Sequence, residues 1–178
     1  MRHHIQLSVV LVLLVFAGSL PLSAQELDEH LAMFTPLVGK TWKGRLSAEG
    51  AEKESWDVSR WERALNGKAV RIMHSVNDGE YGGETLIVWN REEERVEFYY
   101  FTTAGFFTQG TITGEFGNFT AHEYVTGNAN GITEVRSSST VLEDGSLKGS
   151  SEYLKDDEWV PGHEIIYKEA PDAEVTFK

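Results

Sequence analysis

The feature that most limits what this chain can fold into is its spacing of tight-turn signals between short β-prone runs, densest from Trp56 to Gly110. Four strand-like segments occupy that stretch: Trp56–Leu65, Lys68–Val76, Glu84–Trp89 and Arg95–Thr103. Asn66-Gly67 stands between the first two, and a type I′ turn selects such a pair because both central residues need positive φ. Asn77-Asp78-Gly79 closes the next pair, and Gly105 with Gly110 frames the entry to a further strand. Turns this short join each strand to its neighbour in sequence, which makes an antiparallel meander.

The same grammar holds on either side. Thr41–Ala48 opens the series, followed by a turn or loop over Glu49–Glu52 and a strand that begins near Ser55. Beyond Gly105 come Phe106–Thr113, Asn118–Thr126, Ile132–Leu142, Leu147–Leu154 and Trp159–Lys168. Gly127–Gly131 forms a loose connection and Asp144-Gly145 another tight turn; the tail from Pro171 to Lys178 adds an extended segment or frays. The expected fold class is therefore all-β: a ten-stranded antiparallel meander closed into a barrel, since closure removes both exposed edges. Two packed sheets with a dry core are the alternative. Glycines inside strands, at Gly44, Gly110 and Gly149, fit tightly bent strands. The run Ser137–Thr140 and the segment Thr108–Thr113 point to an interior that is partly polar and partly empty. Which strand face points inward stays open at this level.

Residues 1–24 read as a secretory signal peptide, leaving one domain over 25–178. Arg2, His3 and His4 give a basic start, Leu7–Ala17 an apolar run, and Ser23-Ala24 a small-residue cleavage site. The run is short for a membrane span, so no anchor is expected after cleavage. The chain has no cysteine, which excludes a disulfide framework and fits a bacterial periplasm. With 28 acidic against 16 basic side chains the precursor carries a net charge of -12, which argues against nucleic acid or an anionic membrane as partner. Leu27, Leu31, Phe34 and Leu37 or Val38 recur at helical spacing, and Pro36 and Gly39 stop the pattern. That predicts one amphipathic helix of two to three turns, docked at an open barrel end or outside the sheet.

Gly39-Lys40-Thr41-Trp42-Lys43-Gly44 after a short helix resembles the opening of lipocalin-like barrels of the calycin group. Trp61–Lys68, Tyr81–Thr85 and Trp89-Asn90 strengthen a likeness to exported domains of the DUF1579 type and to nitrobindin, over roughly residues 27 to 168. The resemblance implies a lipocalin-like barrel. In nitrobindin-like proteins one histidine near the end of the barrel holds haem, and His163 stands in the comparable place, but after Pro161-Gly162 at a strand start. The opening also has one residue more than the Gly-x-Trp of lipocalins proper.

The aromatic inventory points to a ligand. Trp61, Trp89, Tyr99, Tyr100 and Tyr124 offer rigid apolar walls with hydrogen-bonding tips, which suit a small, mainly hydrophobic molecule. Phe106-Phe107 forms an apolar lip in this reading. Glu134 and Arg136 share a strand face; with Arg60 or Arg71 they make a buried ion pair or grip a carboxylate headgroup, against the alternative of a surface pair. His122 completes the expected ligand-binding set. His30, His74 and His122 show no metal-ligand spacing, and Ser137–Ser139 lack the context of a hydrolase nucleophile. No metal, cofactor or catalytic residue is assigned. The expected function is an exported carrier or sensor, monomeric or weakly dimeric. Its alternatives are an isomerase, cyclase or hydratase using Glu134, Arg136, His122 or Tyr124, a haem-binding barrel, and an envelope structural protein.

Overall fold

The computed structural model describes residues 26–46, 52–126 and 131–178. The signal-peptide reading of 1–24, the first turn and most of the Gly127–Gly131 connection lie outside those residues. Ten strands follow in order: β1 Thr41–Arg45, β2 Trp56–Ala64, β3 Ala69–Val76, β4 Tyr81–Asn90, β5 Arg95–Thr102, β6 Phe107–Glu115, β7 Asn118–Thr126, β8 Ile132–Val141, β9 Leu147–Lys155 and β10 Glu158–Glu169. Each pairs antiparallel with its sequence neighbour, and β1 pairs with β10 through Trp42–Glu169 and Gly44–Tyr167, which closes the barrel. The two-sheet alternative is excluded.

The turns behave as their chemistry dictates. Asn66 and Gly67 both take positive φ, at 56° and 85°, and Lys68 N–H donates to the Leu65 carbonyl, the bond of a type I′ turn. Asp78-Gly79 repeats the conformation in the next hairpin. Gly110 answers a different need: a Cβ there would run into the backbone carbonyl of His122 on β7. Close strand approach, rather than turn geometry, requires glycine at that point.

The N-terminal helix is shorter and tighter than the spacing predicts. Glu29–Phe34 forms 3-10 helix, with the Asp28 carboxylate accepting from His30 N–H at 3.1 Å as its cap. The reason lies in the period of its buried residues. Leu31 and Phe34 stand three positions apart, which lines them up on a helix of three residues per turn; Leu37 follows in the turn after it, and all three are fully buried. They enter one end of the barrel and pack with Trp42, Trp61, Val70, Ile87, Phe98 and Phe119. Turn backbone clasps the helix there: Asp28 N–H donates to Gly67 O at 2.9 Å and Gly117 N–H to Met33 O at 3.0 Å. The helix is a plug.

At the opposite end the chain tail crosses the outside of the wall. Thr176 N–H donates to Ser75 Oγ at 3.1 Å, and Phe177 lies against Gly82. Ser75 is an outward residue of β3 that this strap buries.

Candidate functional site

Strand parity decides what the interior can do. Trp61, Ser59 and Asp57 of β2 face inward, as do Val70, Ile72 and His74 of β3 and Phe98 and Tyr100 of β5. The half nearest the helix is filled by the apolar members of these rows. The other half holds a cavity of about 570 Å³, lined on one side by Asp57, His74, Tyr81 and Tyr100 and on the other by Glu123, Ser137, Ser151, Tyr153 and His163. It meets a deeper lobe of about 320 Å³ walled by Ile87, Phe98, Ile112 and Phe119, and Glu123, His74 and Tyr100 line both spaces.

A hydrogen-bond chain runs along one wall. His74 Nδ1 lies 2.8 Å from Asp57 Oδ1, and His74 Nε2 lies 2.7 Å from Tyr100 Oη. Tyr81 Oη is 2.9 Å from Tyr100 Oη, and Tyr167 donates to Asp57 Oδ2 at 2.9 Å. A carboxylate only accepts, so Nδ1 carries the hydrogen; in the neutral tautomer Nε2 accepts from Tyr100, which accepts in turn from Tyr81. Asp57 is 4% exposed with both oxygens engaged. Burial raises the Tyr81, Tyr100 and Tyr167 hydroxyls, so these phenols stay protonated through the neutral range.

The facing wall is less committed. Burial pushes the Glu123 carboxyl up, and the neighbouring Thr108 hydroxyl lowers it only in part. Thr108 is 1% exposed and its hydroxyl oxygen lacks full hydrogen-bond geometry to any partner. His163 reaches the cavity through a bulge. Between Pro161 and Glu164 the β9–β10 register slips, so Gly162 and His163 together oppose Ser151. His163 Nε2 meets Tyr153 Oη at 2.8 Å, and burial lowers the imidazole below its usual value.

Of the ligand-binding residues expected from the sequence, Trp61 and Tyr100 line the cavity. Trp89 sits at the plugged end, its ring stacked on His30 at 3.8 Å. The remaining seven face outward, which settles for them the strand face that the sequence leaves open. Arg60 pairs with Glu62 at 2.7 Å and Arg71 with Glu84 at 2.6 Å, both on the outer wall. Tyr99 donates to Glu97 at 3.3 Å beside the same strand's outer charges. His122 pairs with Glu134 at 2.6 Å and packs on Tyr124, while Arg136 lies 3.8 Å above the Trp159 ring. The buried Glu134–Arg136 pair and its link to Arg60 or Arg71 do not form: the latter two stand on the far side of the barrel, on β2 and β3. Phe107 is exposed, so only Phe106 of the expected lip reaches the cavity.

The residues that do converge were readable only in part. Asp57 and Ser59 alternate with outward Val58 and Arg60, and the polar character of that face was itself the signal of a wet interior. Glu123 follows Phe119 and Ala121 at period two, the row that enters the core. The haem reading finds no support in the residues present. Tyr153 bonds His163 at 2.8 Å, and among the described residues no lysine or arginine lines the cavity to meet haem propionates. No group of three or more potential metal ligands converges among the described residues. The chain matches no protein-family model, and no curated protein gives a significant match in sequence.

Proposed function

We propose that the protein is an exported binding protein, a carrier or sensor, for a small and mainly apolar molecule bearing a few hydrogen-bonding groups. The observation that carries this reading is the one-ended cavity: about 570 Å³ of space walled by rings, serines and short aliphatic side chains above a plugged core. Apolar burial drives entry, at about 25 cal/mol for each square ångström removed from water, and the Tyr and Ser hydroxyls orient the ligand. A monomer or weak dimer belongs to the same reading, as does kinship with nitrobindin-like and DUF1579-type exported domains; the closed ten-stranded barrel is compatible with a calycin-like fold.

The test is titration with a neutral apolar dye such as Nile red, following quenching of Trp61 at the cavity wall. One molecule per chain is expected, with loss of binding in Ser139→Phe, which fills the cavity from β8. Unchanged binding by the filled variant in its native fold would overturn the reading.

A second reading, acid–base catalysis of the isomerase, cyclase or hydratase type, is favoured by the Asp57–His74–Tyr100–Tyr81 chain, which ends on a hydroxyl at the cavity. It requires turnover that falls at least a hundredfold in Tyr81→Phe while ligand affinity is kept.

A further inference from the structure

We propose that the ligand is an organic cation, an amine on an aromatic or aliphatic body, and that Glu123 is its counter-ion. This rests on the binding reading above and names the ligand class for the same cavity.

Among the described residues the lining has two carboxyls, Asp57 and Glu123, and no lysine or arginine. Asp57 is satisfied by His74 and Tyr167. Among the described residues Glu123 has no ion pair; its one hydrogen-bonding neighbour is the Thr108 hydroxyl, and it lines the space between the two lobes. A carboxyl largely withdrawn from water and facing no cation is offset best by a ligand that brings a positive charge.

The surroundings have the same sign. Tyr81, Tyr100 and Tyr153 lie close enough to Glu123 for its charge to raise their hydroxyls further, and their ring faces carry negative quadrupoles that favour cations. Of the two histidines, His163 is kept from gaining a proton at neutral pH by burial, and His74 has its Nδ1–H taken up by Asp57. An anionic ligand would find no lysine or arginine among the described lining residues. A ligand with one ammonium and an apolar body matches both parts: the ammonium at Glu123, the body against Ile87, Phe98 and Ile112 in the deeper lobe. Burial shifts the Glu123 carboxyl toward its protonated form and pairing with R–NH3+ shifts it back toward the carboxylate, so binding favours release of a proton to solvent.

Calorimetric titration of the full chain with tryptamine, tryptophol and indole-3-acetate, three probes of like size, tests this at neutral pH in two buffers of different ionisation heat. Tryptamine should bind at least tenfold tighter than tryptophol and release protons, while indole-3-acetate should not bind. Glu123→Gln should bring tryptamine to the affinity of tryptophol and abolish the proton release. If tryptophol binds as well as tryptamine, or the acetate binds best, the cation assignment fails and cavity binding stands. An unchanged tryptamine preference in Glu123→Gln also overturns it. If none of the three binds, both readings fall. The ranking on the natural chain needs no variant, so misfolding of Glu123→Gln leaves the proposal open to refutation.

Discussion

On β2, Trp61 packs against Phe34 and Phe119 in the plugged end, while Asp57, four residues earlier on the same face, anchors a hydrogen-bond chain beside the cavity. The two ends are lined by the same strands and obey opposite rules. At one end a helix too short to stand alone and the turn after it supply three buried side chains, and the interior becomes a packed core. At the other, polar rows have no such partner and enclose space. Stability and binding should therefore separate along the barrel axis, and substitutions can show whether they do.

The largest effect is expected from Phe34→Ala. Phe34 is fully buried, 5.0 Å from the Phe119 ring and 6.1 Å from Trp61, so its removal leaves a cavity that the clasped helix cannot collapse. Loss of about 3–5 kcal/mol is expected from the urea midpoint. Ser137→Ala, in the open half, should change stability by less than about 1 kcal/mol. Equal losses at the two sites would break the division between core and cavity.

Asp57→Ala comes next, because the open half contains one element that is structural. Removing the carboxylate strands the His74 Nδ1–H and the Tyr167 hydroxyl, at about 1–3 kcal/mol in chemical denaturation. A neutral effect would mean that water replaces the carboxylate freely.

The contrast between the ends also marks what the sequence can disclose. Turn dipeptides such as Asn66-Gly67 and Asp144-Gly145 act locally, so strand number, order and closure were legible from residues a few positions apart. The buried residues Leu31, Phe34 and Leu37 were legible as a docking face, but the helix of two to three turns that their spacing predicts shortens to the 3-10 segment Glu29–Phe34, with Leu37 beyond it. The site was hidden for a different reason. A strand alternates sides whatever the side chains are, and a polar cavity makes the inward face look like the outward one. Arg60 and Arg71 could be placed inside or outside by pattern alone; only the packing of Trp61 and Ile72 around the helix fixes the parity. The bulge at Gly162-His163 then reverses it within β10, turning His163 inward and Trp159 outward, and no local signal beyond Pro161-Gly162 announces the reversal.

Glu123→Gln sharpens the comparison through its sign. A carboxyl whose folded value is raised binds its proton more tightly when folded than when unfolded. Its contribution to stability is therefore full below the unfolded value near 4.5 and is lost as pH rises through the folded one. The uncharged glutamine escapes that loss. Thermal melts should show the variant gaining on the natural protein from pH 4 to 8, with the difference greatest at the alkaline end. His163 tilts the other way: its lowered value means destabilisation appears as pH falls below about 6.5. His163→Gln should remove that acid-side loss and leave the alkaline difference of Glu123→Gln intact. A Glu123→Gln difference that grows toward acid would contradict burial of an uncommitted carboxyl.

The smallest effect belongs to the outer wall. Arg136 would be a ligand contact if β8 faced the other way, but it pairs in register with His122 and Glu152, outward residues, and its guanidinium covers Trp159 at 3.8 Å. A cation–π contact at an exposed site is worth about 0.5–1 kcal/mol, so Arg136→Ala should cost no more than that in urea denaturation. The cavity should not notice. Nile red affinity, and the tryptamine preference if Glu123 sets it, should match those of the natural protein, because the backbone of β8 separates the guanidinium from Ser137 and Ser139 on the inner face. A selective loss of affinity for carboxylate-bearing ligands in a stable Arg136→Ala protein would reverse this. It would move the binding site from the barrel interior to the outer patch of His122, Tyr124, Glu134 and Trp159, and with it the division of the molecule into a plugged end and a binding end.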